Sequence, residues 1–402
     1  MKFKEMIAKL WLGIKKLFVP SSYSAAVPSF IAIGFGILFG IFTMFIIWML
    51  VITGVFTVDN DPQFFYGITL LLAGGFNQGM YSIGYTLYRA APLILAGLAV
   101  GFAFRTGLFN IGAPGQMIVG ATIAVYVGIR VSMPAPWHWM FALLCGMIAG
   151  GLWGFIVGAL KALLNVHEVV ASIMMNYVAM YSSFMFIKGN NLLDGNTSHT
   201  LGVRATAMIP YGTSAFFGGY VMNIGIILAI IAVIVIYIVL NKTTLGYQLK
   251  AVGFNKDASK YAGMNTKRNI MISMAISGIL AGMGGAILFL VSGKYIFVTK
   301  DMMTAELMSV GFDGISVALL GLSNPVGALF AGLFLAYIRQ GGYYLNLANY
   351  MAEMADVITA VIIYFSALST ALYALVKAKK LKFKSRTKSR KKIADEDAGG
   401  EV

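Results

Sequence analysis

An all-α fold, a polytopic bundle of transmembrane helices with about ten spans, is what the sequence predicts, and three observations carry that prediction. Of 402 residues 59% are hydrophobic and 11% charged, with mean hydropathy +0.82, where a soluble chain carries about 25% charged residues. The apolar residues fall in long runs separated by short polar stretches. A helix needs about 20 apolar residues to cross the hydrocarbon, and only helices or closed barrels satisfy their backbone there. The runs exceed barrel strands in length and lack a two-residue alternation, so they read as helices of one membrane domain.

The elements follow in order. Residues 1–19 carry Ile7, Leu10, Trp11, Ile14, Leu17 and Phe18 at helical spacing, with Lys4, Lys9, Lys15 and Lys16 elsewhere on the helix. That pattern predicts a cytoplasmic amphipathic segment over 1–26, whose helix lies on the membrane surface and is ended by Pro20. The run from Val27 to Phe56 is too long for a signal peptide and predicts the first span. Further spans are expected at about 90–106, 113–130, 138–164, 167–187, 222–240, 269–292, 305–322, 325–341 and 354–376, making a transmembrane domain over 27–376. Residues 63–88 are half-apolar and Gly-rich, and predict a re-entrant or external helix.

Charge sets the orientation. The formal charge is +15, from 30 Lys and Arg against 15 Asp and Glu. The N-terminal segment, the loop 242–268 and the tail from Lys377 to Lys392 are basic, and ten spans place all three on the cytoplasmic side, with both termini. The turn Asp59-Asn60-Asp61 and the loop 188–221 then fall outside. The tail 377–402, basic and then acidic, is expected to be disordered, its basic run anchoring on anionic lipid rather than binding nucleic acid. Cys145 is the lone cysteine and sits in an apolar run, so neither a disulfide framework nor a thiol metal site is expected, and no metal ligands are assigned. His138, between Trp137 and Trp139, reads as part of an interfacial aromatic belt. Asn196-Thr197-Ser198 matches a glycosylation pattern too short to carry weight.

Glycines and polar residues inside the apolar runs say more. Gly146, Gly150, Gly154 and Gly158 recur every fourth residue, and Gly278, Gly282 and Ala286 repeat the device, predicting close helix packing. Two polar clusters interrupt apolar runs: Arg105 to Gln116, rich in glycine with Pro114, and Glu306 to Pro325, which holds Glu306, Asp313, Ser316 and Asn324. Interrupted helices in both halves of a chain point to an internal repeat and a midplane pathway; the plainer reading is that the amides bond to neighbouring helices. In the loop 242–268, Asn255 suits an N-cap, Asp257 the first turn and Gly263 the C′ position, which predicts one short helix from Lys256 to Ala262. Such a helix is either a connector or the part of a membrane subunit that a soluble motor pushes. No phosphate-binding G-x-x-x-x-G-K-[ST] loop, H-E-x-x-H motif or Ser/His/Asp grouping is present, so no catalytic role is expected.

These segments resemble the permease family of ABC importers that serves ribose, branched-chain amino acids and nucleosides. The resemblance rests on Arg89 to Arg105, Gly107 to Gly112 with Gly115-Gln116, His167 to Tyr177, the Thr244–Gly263 segment, and Gly311 to Gly321 followed by Pro325. It covers most of residues 88–340, and the Phe-Asn-Ile-Gly-x-x-Gly-Gln form looks most like the nucleoside (guanosine-type) branch. Ala113-Pro114 stands where Ala-Glu is expected, and His167 where Asn is expected. The resemblance implies a non-catalytic subunit in the cell membrane of a bacterium, paired with a second related permease as a heterodimer. A cytoplasmic ABC ATPase would carry the ATP-Mg, with no cofactor on this chain, and a substrate-binding lipoprotein would deliver a nucleoside from outside. Asn110, Gln116, Asn176, Tyr177 and Asp313 are then expected to line the pathway, and Gly246, Gly253, Asn255, Asp257, Tyr261 and Gly263 to form the ATPase-coupling helix region. An importer for a sugar such as ribose is the alternative within the family. An ion-coupled secondary transporter using Asp313 or Glu306 is the alternative outside it.

Overall fold

The computed structural model describes residues 20–55, 60–195, 198–211, 222–297, 305–351, 353–362 and 364–365. The expected surface helix over 1–19, the basic and acidic tail over 377–402 and the glycosylation pattern's Asn196-Thr197 lie outside them. Among the described residues the structure is helical, and β-pairing is confined to two isolated bridges, Leu193 with Thr200 and His199 with Phe297. The helices are α1 (Pro20–Ile52), α2 (Phe64–Ala73), α3 (Met80–Arg105), α4 (Ala113–Arg130), α5 (Trp137–Leu164), α6 (Glu168–Gly189) and α7 (Gly225–Lys242). They continue with α8 (Thr244–Phe254), α9 (Lys256–Tyr261), α10 (Thr266–Phe289), α11 (Ala305–Leu320) and α12 (Pro325–Tyr344), and a further helix begins at residue 354. Six of these are long and apolar enough to cross a membrane: α1, α3, α5, α6, α7 and α10.

The chain divides into two compact units, residues 1–43 with 357–402, and residues 44–356. In the first, Gly36 and Gly40 face Ile362 and Ile358, and the rings of Phe35 and Phe365 stack at 4.9 Å. In the second, α3 and α10 are the most enclosed, with 83% and 78% of their apolar windows buried. The two glycine series meet face to face. A Cβ on Gly150 would stand 2.5 Å from the Gly278 carbonyl, and one on Gly282 would stand 2.5 Å from that of Gly146. Backbone-to-backbone approach of this kind maximises dispersion contact where burial from lipid adds little driving force. The pair Gly311 and Gly314 serves α11 in the same way. A Cβ on Gly311 would lie 2.5 Å from Pro114 Cα at the start of α4, and one on Gly314 2.7 Å from Ala96 on α3.

Two expectations need correction. α3 starts at Met80, not near residue 90. Its first turns carry Ser82, Thr86 and Tyr88, which lower the hydropathy, yet all three are buried and bonded inside the protein. Tyr88 Oη donates to the Leu288 carbonyl at 3.0 Å. His138 is fully buried rather than interfacial, with Nδ1 at 2.8 Å from Thr206 Oγ1 and Nε2 at 3.2 Å from the Val127 carbonyl. It ties the loop after α6 to the end of α4. Within 63–88, where a re-entrant or external helix was expected, lies α2, a ten-residue helix followed by the 3-10 turn Gly74–Phe76.

Candidate functional site

The turn from α3 into α4 gathers three of the five expected pathway residues. Asn110 and Gln116 have no exposed surface, and Asn176 is 2% exposed. Asn110 Nδ2 donates to Gln116 Oε1 at 3.1 Å and to Ser277 Oγ on α10 at 2.7 Å. Asn110 Oδ1 accepts from the Gly112 N–H at 2.9 Å, and Ser277 Oγ donates on to the Ala99 carbonyl at 2.6 Å. From α6, Asn176 Oδ1 accepts from the Gly115 N–H at 2.9 Å while its Nδ2 donates to the Ile111 carbonyl at 3.0 Å. The first N–H groups of a helix have no partner within it. Here two amide side chains supply partners at and before the first turn of α4, and Pro114 removes one donor. Tyr177 follows Asn176 on the neighbouring face of α6 and is half-exposed. Glu168, at the start of α6, pairs with Lys161 at 2.8 Å.

Asp313 lies apart from this amide group, midway along α11. Its Oδ2 is 2.5 Å from Arg339 Nη1 on α12, a charge contact without good hydrogen-bond alignment. Arg339 Nη2 is 3.3 Å from Asp356, and its Nη1 is 3.5 Å from Ser309 Oγ. Glu306, further up α11, pairs with Lys294 at 2.9 Å. Arg339 and Asp356 were not foreseen from the sequence. A single Arg inside the apolar run 325–341 was nevertheless a readable signal, because an ionised group there needs a partner or water.

The basic loop forms two helices where one was expected, α8 preceding α9. Thr243 caps α8, accepting from the Gly246 N–H at 3.1 Å. Asn255 caps α9, accepting from the Ala258 N–H at 2.9 Å, with Asp257 in the first turn and Gly263 just past the end at φ +79°. Gly246 and Gly253 are spacers. Gly246 rests on the backbone of Val239 and Leu240 at the end of α7, and Gly253 on the backbone of Arg105 to Gly107. Side chains at the far surface are open: Tyr261 is 94% and Phe254 91% exposed. Phe254 was not foreseen, because the local signal there lies in the cap residue Asn255 that follows it.

Apolar helices packed through glycine, polar groups held within them and an aromatic-tipped helical pair at one end are the parts of a membrane permease subunit. The chain belongs to the family of permease components of branched-chain amino acid transport systems, whose model matches residues 82–367. It is 42% identical over 317 residues to the guanosine ABC transporter permease protein NupP of Bacillus subtilis, covering 78% of this chain and 89% of that one. It is 34% identical to the nucleoside ABC transporter permease protein NupB of Lactococcus lactis, over 81% and 94% of the two chains. Identity to the glucose ABC transporter permease protein TsgB13 of Haloferax volcanii is 30%, over 77% and 81%. The first two bacteria each hold a second match with the same kind of name, at 28% and 26% identity. No solved structure matches the chain. This protein is thus a membrane permease subunit of an ABC transporter.

Proposed function

We propose that this subunit conducts nucleosides inward across the plasma membrane of a bacterium, driven by ATP hydrolysed on a separate ABC ATPase that carries the ATP-Mg. The observation that carries the reading is the similarity to NupP and NupB over four-fifths of the chain. The paired relatives in each bacterium support a second, related permease as partner. A substrate-binding lipoprotein completes the assembly outside. In this reading the domain over 27–376 crosses ten times with an internal repeat, both termini lie in the cytoplasm and the loop 188–221 lies outside.

The α8–α9 pair is the handle for the ATPase, with Gly246, Gly253, Asn255, Asp257 and Gly263 shaping it and Tyr261 and Phe254 presented. Its mechanical link inward is short, because Gly253 leans on residues 105–107 and Asn110 lies three residues further along the same turn. Asn110, Gln116, Asn176, Tyr177 and Asp313 belong to the pathway. The three amides are engaged with protein partners in the described arrangement, so contact with solute requires the start of α4 to shift. A sugar is the second reading, favoured by the identity to TsgB13. The family match counts against an ion-driven transporter.

Uptake of labelled guanosine and of ribose, in cells with and without the gene, tests this reading. Each is measured before and after ATP depletion with the proton gradient held. ATP-dependent guanosine uptake that vanishes on deletion is the expected result. Uptake that ignores ATP and collapses with the gradient would overturn it.

A further inference from the structure

The charged group on α11 and α12 is placed oddly for a lipid-facing surface. Asp313 lies near the middle of α11 and Arg339 well inside α12, so neither sits at a helix end where a long side chain reaches the headgroups. The group is only half closed: side-chain exposure is 17% for Arg339 and 66% for Asp356. Arg339 spreads over Asp313, Asp356 and Ser309, yet its Nε is buried without a partner. Phe312, which precedes Asp313 on α11, is 41% exposed, and Tyr343, one turn beyond Arg339 on α12, is 65% exposed. In the ten-span reading α11 and α12 cross the membrane, and ionised groups within such helices are tolerated where they face water or a polar partner.

We propose that this face of α11 and α12 lines a water-filled passage and contacts a neutral solute that has a flat ring and hydroxyls. Phe312 presents an aromatic face for the ring, and Ser309 with the outer carboxylate of Asp356 takes the hydroxyls. Arg339 is the positioning residue that stands between the two carboxylates and leaves Asp313 paired rather than free to bind a cation. Both the crossing of the membrane by α11 and α12 and the identification of the solute with a nucleoside rest on the reading above.

The test uses the whole transporter in membrane vesicles. Cys145 is the only cysteine, so a Cys145→Ala background allows a single thiol to be introduced at Ser309→Cys, at Phe312→Cys or, as a lipid-facing control, at the exposed Val235→Cys on α7. A membrane-impermeant maleimide is the probe. Labelling of both α11 thiols but not of Val235→Cys is expected, with loss of labelling at Ser309→Cys when guanosine is added. Absence of labelling at both α11 positions would overturn the wet face. Labelling that guanosine leaves unchanged would overturn the solute contact. Guanosine uptake by the Cys145→Ala transporter is read in the same vesicles, and its failure would count against the nucleoside reading alone.

Discussion

The chain turns from one helix into the next twice with the same two residue types, and the two turns carry very different weight. Between α3 and α4 an asparagine precedes a proline that opens the new helix, Asn110 and then Pro114. Between α11 and α12 the pair is Asn324 and Pro325, with Asn324 Oδ1 accepting from the Val326 N–H at 3.0 Å. Asn324 is exposed and makes that one cap bond, whereas Asn110 is sealed and serves Gly112, Gln116 and Ser277 together. The turns also touch, since Arg105 Nε at the end of α3 donates to the Ser323 carbonyl at 2.8 Å. Local sequence therefore writes the same instruction at both places, and burial decides what each is worth. An exposed cap lost to water costs about 1 kcal/mol, while a sealed amide leaves unpaired groups behind at about 1–3 kcal/mol for each.

The largest effect is expected at the sealed turn. Asn110→Leu should lower stability by about 3 kcal/mol or more, because Gln116, Ser277 and the Gly112 N–H lose a partner together. Thermal unfolding of the purified transporter in detergent reads this, and an unchanged midpoint would break the comparison. Next comes Gly253→Val, whose Cβ would stand 2.9 Å from the Thr106 carbonyl carbon and wedge α8 off the same turn. Guanosine uptake should fall about tenfold, the scale of a typical coupling free energy, while ATP hydrolysis by the complex continues. Equal loss of both activities would instead mark a folding defect.

A smaller effect is expected from Asp313→Asn, which removes one partner of Arg339 and leaves Asp356 to hold it. Because the group is partly open to water, the loss should be about 1–2 kcal/mol, below the 3–5 kcal/mol typical of a sealed pair. Adding Arg339→Gln should recover part of that loss, and unfolding midpoints of the single and double variants give the comparison. Asn324→Ala sharpens the contrast from the low end, with a cost of about 1 kcal/mol and transport close to normal. A loss at Asn324 as large as that at Asn110 would mean that burial does not set the difference.

Much of the site was legible because polar residues inside apolar runs are costly and so stand out. Asn110 and Gln116 stood out that way, whereas Asn176 came only through the family resemblance; the cap at Asn255 and the terminator at Gly263 followed from helix-end preferences, the φ of +79° at Gly263 suiting a residue without a side chain. What could not be read was partnership. Nothing in spacing alone says that Asn176 on α6 reaches the Gly115 N–H, or that Arg339 stands between Asp313 and Asp356. The first turns of α3 were lost for a related reason. Hydropathy treats Ser82, Thr86 and Tyr88 as unwelcome in an apolar element, although internal bonds make them acceptable there.

By itself the sequence determined the helical membrane class, the interrupted helices and the short capped helix of the basic loop, because each follows from transfer energies and backbone preferences local to a few turns. It also carried the family, through five ordered motifs. Only the tertiary structure decided which glycine faces meet, which amides are sealed and which charge is shared by two carboxylates. Those depend on groups far apart in the chain arriving within about 3 Å of one another, a distance at which hydrogen bonds form and which no local pattern encodes.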